Sequence, residues 1–180
     1  MMSESEEMIW SDLSLEQPEP IKSEMNREVG KAVSALTGKR GDPKNPEITA
    51  VLNIADDCVE LQIASIYFYG RYLKYERGIP QTHWDCRACR GKGCEKCNFT
   101  GKQYPTSVEE LIAEVPKQMF AAENGVLHGS GREDIDALMI GTGRPFVMEM
   151  QNPKIRNVNL QELESAINTS AAPRVQVKLE

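Results

Sequence analysis

The sequence predicts an α+β protein assembled from several small modules, and three observations carry that expectation. Apolar and polar residues alternate over residues 48–63 at the period of a strand, whereas residues 21–36 and 160–167 repeat apolar side chains at the period of a helix. Four of the five cysteines fall within residues 86–97, a spacing that suits one metal ion. A chain of 180 residues with 40% hydrophobic content has enough apolar surface for one sizeable core or two small ones.

The net charge of −6 is unevenly spread. Residues 1–30 carry eight acids against Lys22 and Arg27, which equals the whole imbalance, while residues 71–102 carry eight bases against three acids. A local basic patch inside an acidic chain fits a nucleic-acid contact confined to one region. Arg71, Lys74, Arg87 and Lys92 are the RNA contacts expected from that patch. No apolar run approaches the roughly 20 residues of a membrane-spanning helix, and the acidic N-terminus lacks the basic and apolar regions of a signal peptide, so a cytoplasmic location is expected.

In chain order, residues 1–20 are acidic and Ser-rich and end in Gln17-Pro18-Glu19-Pro20, a composition that predicts no regular structure. Ile21, Met25, Val29, Val33 and Leu36 line one face of a helix that Gly38 closes. Ile48, Ala50, Leu52 and Ile54 form a strand, Asp56-Asp57 a turn, and Val59, Leu61 and Ile63 a second strand, so a hairpin is expected to offer the helix its partner surface. Cys58 opens that second strand and reads as an ordinary, partly buried thiol.

Ile66 to Tyr75 interleaves rings with cations; this suits either strand aromatics packed in a core or a stacking surface for RNA, and different rings can serve each. Farther on, Thr106–Glu109 and Ser107–Glu110 are overlapping capping boxes for a helix carrying Val108, Leu111, Ile112 and Val115, with Pro116 as its end or a kink. Phe146 to Met150 reads as a strand, Asn159 caps a second helix with Leu160, Leu163 and Ile167 on one face, and Arg174 to Leu179 is a final strand.

Cys86-x-x-Cys89 and Cys94-x-x-Cys97 can converge on one Zn²⁺, each pair making a tight turn that aims two sulfurs at the metal. Four thiolates close the coordination shell, so such a zinc is structural. Glycines in Arg90-Gly91-Lys92-Gly93, and Gly101 after the second pair, let the chain reverse. An iron–sulfur cluster or redox disulfides are the rival uses of the same cysteines.

The stretch from His128 to Phe146 sets acids, Asp134 and Asp136 among them, and two arginines, Arg132 and Arg144, among Gly129, Gly131, Gly141 and Gly143. Such a mixture reads as an active-site loop, with a surface ion pair as the plain alternative. His128 reads as packed or solvated only.

Gly131-Arg132-Glu133-Asp134 resembles the motif that carries the catalytic aspartate of pseudouridine synthases. The run through Asp136, Ala137 and Gly141-Thr142-Gly143-Arg144-Pro145-Phe146 is similar to the THUMP-domain tRNA pseudouridine synthases of archaea and eukaryotes, the family numbered ten among these enzymes. The resemblance runs from about Ile21 to the C-terminus and includes the four cysteines, with Gly101-Lys102 and Tyr104-Pro105 after them.

It implies a partial THUMP-like RNA-binding module over 21–80, a zinc module over 81–104, and over 105–180 the first part of a catalytic domain built on a mixed or antiparallel sheet. It implies isomerisation of uridines in the T-loop of tRNA with no organic cofactor. Asp134 would be the catalytic carboxylate, Arg132 would help open the RNA, Arg144 would hold a phosphate or pair with an acid of the loop, and Asp136 would brace the loop. The start of the THUMP domain and the second half of the catalytic domain, with an active-site tyrosine and a further basic residue, are expected to be missing. Either a second polypeptide completes the enzyme or the chain is a non-catalytic, zinc-containing RNA-binding protein.

Overall fold

Residues 66–74 alternate large inward side chains with polar or exposed ones, and the strand they form organises the larger part of the molecule. The structure is a computed structural model; it describes residues 4–14, 16 and 18–180 and divides into two units, Met1–Pro46 and Glu47–Glu180.

In the first unit, α1 (Glu4–Asp12) and α2 (Ile21–Thr37) bury no residue. Gly38 closes α2 in the left-handed conformation, its N–H bonded to the Ser34 carbonyl, as the sequence predicts. The expectation of no regular structure over residues 1–20 covers residues 1–3, 15 and 17, which lie outside the described residues; of the others, Glu4–Asp12 form α1 instead. Acids in its first turn complement the positive end of the helix dipole.

The second unit begins with the expected ribbon, β1 (Ile48–Asn53) paired antiparallel with β2 (Cys58–Ile63), with Leu52 and Ile63 half-buried and the rest exposed. Cys58 is exposed, not partly buried, because it pairs with Asn53 at the turn end of a ribbon that is exposed almost throughout. Next, β3 (Ile66–Lys74) leaves the ribbon and enters a separate four-stranded sheet of order β4-β5-β3-β6, all antiparallel, with β4 (Asn124–Gly129), β5 (Met139–Gln151) and β6 (Val175–Leu179). β3 is hydrogen-bonded to β5 and β6 rather than to the ribbon.

Helices α3 (Val108–Met119) and α4 (Leu160–Ala171) pack together and against the sheet. Ser107 caps α3 by accepting from the Glu110 N–H, so of the two overlapping boxes the second is used. Pro116 neither ends nor replaces the last turn; α3 continues to Met119. Asn159 caps α4 through the N–H groups of Gln161 and Glu162.

The core lies between the helices and one sheet face, and contains Phe68, Tyr72, Phe146, Met148, Met150, Val108, Ile112, Leu163 and Ile167. Phe68 stacks on Phe120 at 6.2 Å and meets Phe146 edge-on at 6.4 Å. By strand alternation Tyr67 and Tyr69 point to the opposite face and are exposed, so the core reading of the aromatic run holds for Phe68 and Tyr72 and not for these two rings.

Candidate functional site

The Gly-rich stretch is a hairpin: it comprises the end of β4, a connection over residues 130–138, and the first half of β5. The expected strand over Phe146 to Met150 is the second half of β5; glycine punctuation concealed β4, which carries Gly125 and Gly129, and the first half of β5, which carries Gly141 and Gly143. Pairing of β5 with β3 jumps from Tyr72↔Arg144 to Lys74↔Met139, so Ile140–Gly143 bulges from the sheet. Arg71 holds the bulge, its Nε donating to the Thr142 carbonyl at 2.7 Å and its Nη2 to the Gly143 carbonyl at 3.3 Å.

Burial alternates along the motif. Arg132 and Asp134 are exposed, whereas Glu133 between them is buried with its side chain 3% accessible. The Glu133 carboxylate accepts from the Tyr72 hydroxyl at 2.7 and 2.8 Å and from Gln81 Nε2 at 3.2 Å. Gln81 Nε2 also donates to the Tyr72 oxygen and to the Gly131 carbonyl. Arg144 Nε lies 2.7 Å from Glu133 in an ion pair whose N–H is not aimed at the carboxylate, and its Nη1 donates to the Ser130 carbonyl at 2.9 Å.

Burial, helped by the Glu133 charge, pushes the Tyr72 phenol well above its ordinary range, so Tyr72 acts as a donor and not as a phenolate. Gly131, at φ +85°, gives the turn that brings Glu133 inward; a Cβ there would lie 2.6 Å from Arg144 Nη1.

Lys74 corrects an expectation. It is fully buried, and its Nζ donates to the carbonyls of Ile79 and Ile135 at 2.8 and 3.0 Å, so it ties the loop to the segment after β3 and presents no charge at the surface. Burial lowers its pKa, opposed by Glu133 and Asp136. Asp136 participates in bracing through its main chain: Arg77 donates to its carbonyl oxygen, not to its carboxylate. His128 is exposed and pairs with Glu149 at 2.9 Å; that contact, with Ser65, holds Glu149 below the usual carboxylate range. Among the described residues, no hydrogen bond or ion pair engages the Asp134 carboxylate or the Arg132 guanidinium. Arg132 instead lies over the ring of Trp84, 5.2 Å from its centre.

The cysteines converge as expected. Sγ of Cys86 is 4.0 Å from that of Cys94, and Cys97 is 3.8 Å from both Cys89 and Cys94. A tetrahedron with Zn–S bonds of about 2.3 Å has edges of about 3.8 Å; these three edges match it and all four sulfurs lie within 4.8 Å of one another, so they suit a four-coordinate metal. Main-chain N–H groups of Gly93, Cys94 and Gly101 point at the sulfurs of Cys89 and Cys97. Burial raises the Cys97 thiol, but the Cys94 and Gly101 N–H donors outweigh it and bring it down to about 6. Cys86 is lowered by the Cys89 and Ala88 N–H groups, and burial pushes Cys89 up to about 11. Gly101 is required by space, since a Cβ there would meet the Gly91 carbonyl oxygen at 2.3 Å.

The module is stapled to the rest through a bridge between Asp85 and Lys102, the Cys86 N–H to Gly101 carbonyl bond at 2.7 Å, and the Lys102–Glu110 ion pair. Arg87 and Lys92 are exposed on it, and Arg71 is half-buried beside the bulge. Glu133, Tyr72, Gln81 and Trp84 were not singled out by sequence reading. Glu133 occupies the variable place of the motif, and nothing in the local sequence signals that a charged residue there faces the core.

A family model described as Pus10, C-terminal, matches residues 67–179, and one described as Pus10 THUMP domain, archaeal, matches residues 1–53. The chain is similar to a protein of Methanothrix thermoacetophila named tRNA pseudouridine synthase Pus10, 47% identical over 177 residues, covering 98% of this chain and 39% of that protein. A protein of the same name from Methanopyrus kandleri is 52% identical over 177 residues, covering 96% of this chain and 40% of the relative. Another, from Halorubrum lacusprofundi, is 40% identical over 186 residues, covering 99% and 44%. The chain thus spans about two fifths of the length of these relatives.

Proposed function

Because the chain belongs to the Pus10 family, we propose that it forms part of a tRNA pseudouridine synthase and supplies the carboxylate of the reaction from Asp134. The observation that carries this reading is the split between neighbours: Glu133 is locked into the core, and Asp134 next to it is exposed with no partner among the described residues. An acid held in place from beneath and left unpaired is the arrangement expected of a group that must act on a substrate.

In pseudouridylation the bond from uracil N1 to C1′ breaks and a bond from C5 to C1′ forms; the proton leaves C5, and N1 ends protonated. Asp134 acts at the sugar, as nucleophile at C1′ or as base toward the C2′ proton. Arg132 enters the RNA beside the extruded uridine. The exposed Arg87 and Lys92 of the cysteine module, with Arg71 and Arg144 near the loop, are the proposed phosphate contacts. Lys74 is withdrawn from that set by its burial. The four-cysteine cluster holds one Zn²⁺, which shapes the module and takes no part in the chemistry. The proposed substrate is a uridine of the tRNA T-loop.

Since the chain spans about two fifths of its relatives, turnover is expected to require further polypeptide that positions the uridine from the opposite side, on the same chain or a second one. Tritium release from tRNA labelled at uridine C5 tests both points. Little release is expected from the 180 residues alone, and release on adding the remaining part of a relative; Asp134→Ala abolishes it there. Turnover that survives Asp134→Ala assigns the wrong aspartate.

A further inference from the structure

Trp84 is a large ring of the second unit that stands outside the buried core. It is half-buried yet lies outside the core cluster, and its contacts are a T-shaped one with Tyr104 at 5.6 Å and the guanidinium of Arg132 on its face. The backbone that carries it is fixed on both sides. Three residues before it, Gln81 is bonded to Tyr72, Gly131 and Glu133; the Trp84 carbonyl accepts from the Gln103 N–H at 2.9 Å; and Asp85 bridges Lys102 immediately after. A rigid aromatic plane thus stands beside Arg132, two residues from Asp134.

We infer that Trp84 is a stacking site for an RNA base, covered by Arg132 in the free protein and uncovered when Arg132 enters the RNA. The inference rests on the reading of the loop as an RNA-modifying site. A guanidinium on a solvent-accessible ring is weakly held, and Arg132 has no other partner among the described residues, whereas a nucleobase buries more of the indole face and stacks more strongly. The exchange leaves no charge stranded, because the freed guanidinium remains on the same loop, within reach of RNA phosphates. The platform is already ordered, so a base that lands on it pays little reorganisation.

The chain has two tryptophans, Trp10 and Trp84, so in a Trp10→Phe background indole emission reports on Trp84 alone. The probe is a short RNA hairpin with unpaired uridines, its binding followed independently by gel shift. Quenching of Trp84 emission in step with binding is expected, and it persists in Arg132→Ala, where loss of the guanidinium alone cannot cause it. Trp84→Leu weakens binding about tenfold and Trp84→Phe by less than about threefold, as loss and retention of one stacking plane require. The metal content of each variant shows whether the module has folded, and the wild-type emission titration needs no variant at that site. Binding without quenching, or equal affinity in a folded Trp84→Leu, overturns the platform and leaves the RNA reading intact; no binding by the parent protein overturns both.

Discussion

The loop over residues 130–138 and the cysteine module over residues 86–97 are both tight, glycine-turned segments of the second unit, yet they are held by opposite means. The loop is fastened by a buried charge. Glu133 draws on Tyr72, Gln81 and Arg144, and the Lys74 ammonium holds the Ile135 carbonyl, so its geometry is fixed by groups the protein itself supplies. The module has no such interior. Its buried residues are Cys86 and Cys97, its other side chains face solvent or are half-buried, and four sulfurs converge where a core would otherwise be. A loop locked by the fold keeps its shape whenever the sheet is formed; a module locked by a ligand exists only when the ligand is bound.

The largest expected effect follows from that difference. A structural zinc contributes on the order of 10 to 16 kcal/mol in small metallo-domains, so a strong chelator should unfold residues 86–101 while the sheet and the Glu133 network persist. One equivalent of zinc by elemental analysis, and loss of amide dispersion confined to the module after chelation, would bear this out. Metal uptake displaces thiol protons, so affinity falls as the pH is lowered. Iron in place of zinc, or less than half an equivalent of metal, would break the comparison on the module's side.

A smaller but global effect is expected at the loop. Glu133→Ala strands Arg144 and leaves the Tyr72 hydroxyl and the Gln81 amide short of an acceptor, and removing one partner of a buried ion pair costs about 3 to 5 kcal/mol. Glu133→Gln keeps the hydrogen-bonding shape and should cost less, because Arg144, with 17% of its side chain accessible, can recover water. The urea midpoint is the measurement. A change below about 1 kcal/mol for Glu133→Ala would show that the buried charge is ornamental.

Part of this was legible in the sequence. Cys-x-x-Cys pairs announce their geometry because each spacing lets a tight turn aim two sulfurs at one point, and the α2, α3 and α4 patterns announce helices because one face must be apolar. Of the hairpin that carries the site only the second half of β5 was legible, since Gly125 and Gly129 erase the strand signal of β4 and Gly141 and Gly143 that of the first half of β5. Nor were the roles of Lys74 and Glu133. A lysine in a basic run reads as a surface cation and the glutamate stands at the variable place of its motif; only the fold turns them inward, Lys74 toward the Ile79 and Ile135 carbonyls and Glu133 toward the Tyr72 hydroxyl.

The smallest expected effect is the sharpest test. Asp134 is exposed and has no hydrogen-bonding or ionic partner among the described residues, so Asp134→Ala should leave the urea midpoint within about 0.5 kcal/mol of the parent. Adjacent residues in a shared network normally couple, but Asp134 shares no partner with Glu133, so the double variant should be destabilised by the sum of the two single changes within about 0.5 kcal/mol. Additivity would mean that these two neighbouring acids are divided between holding and acting, with the fold resting on Glu133 and the chemistry left to Asp134. A large loss from Asp134→Ala alone, or strong coupling between the two, would mean that Asp134 also supports the loop, and its exposure would then no longer argue for a role toward substrate.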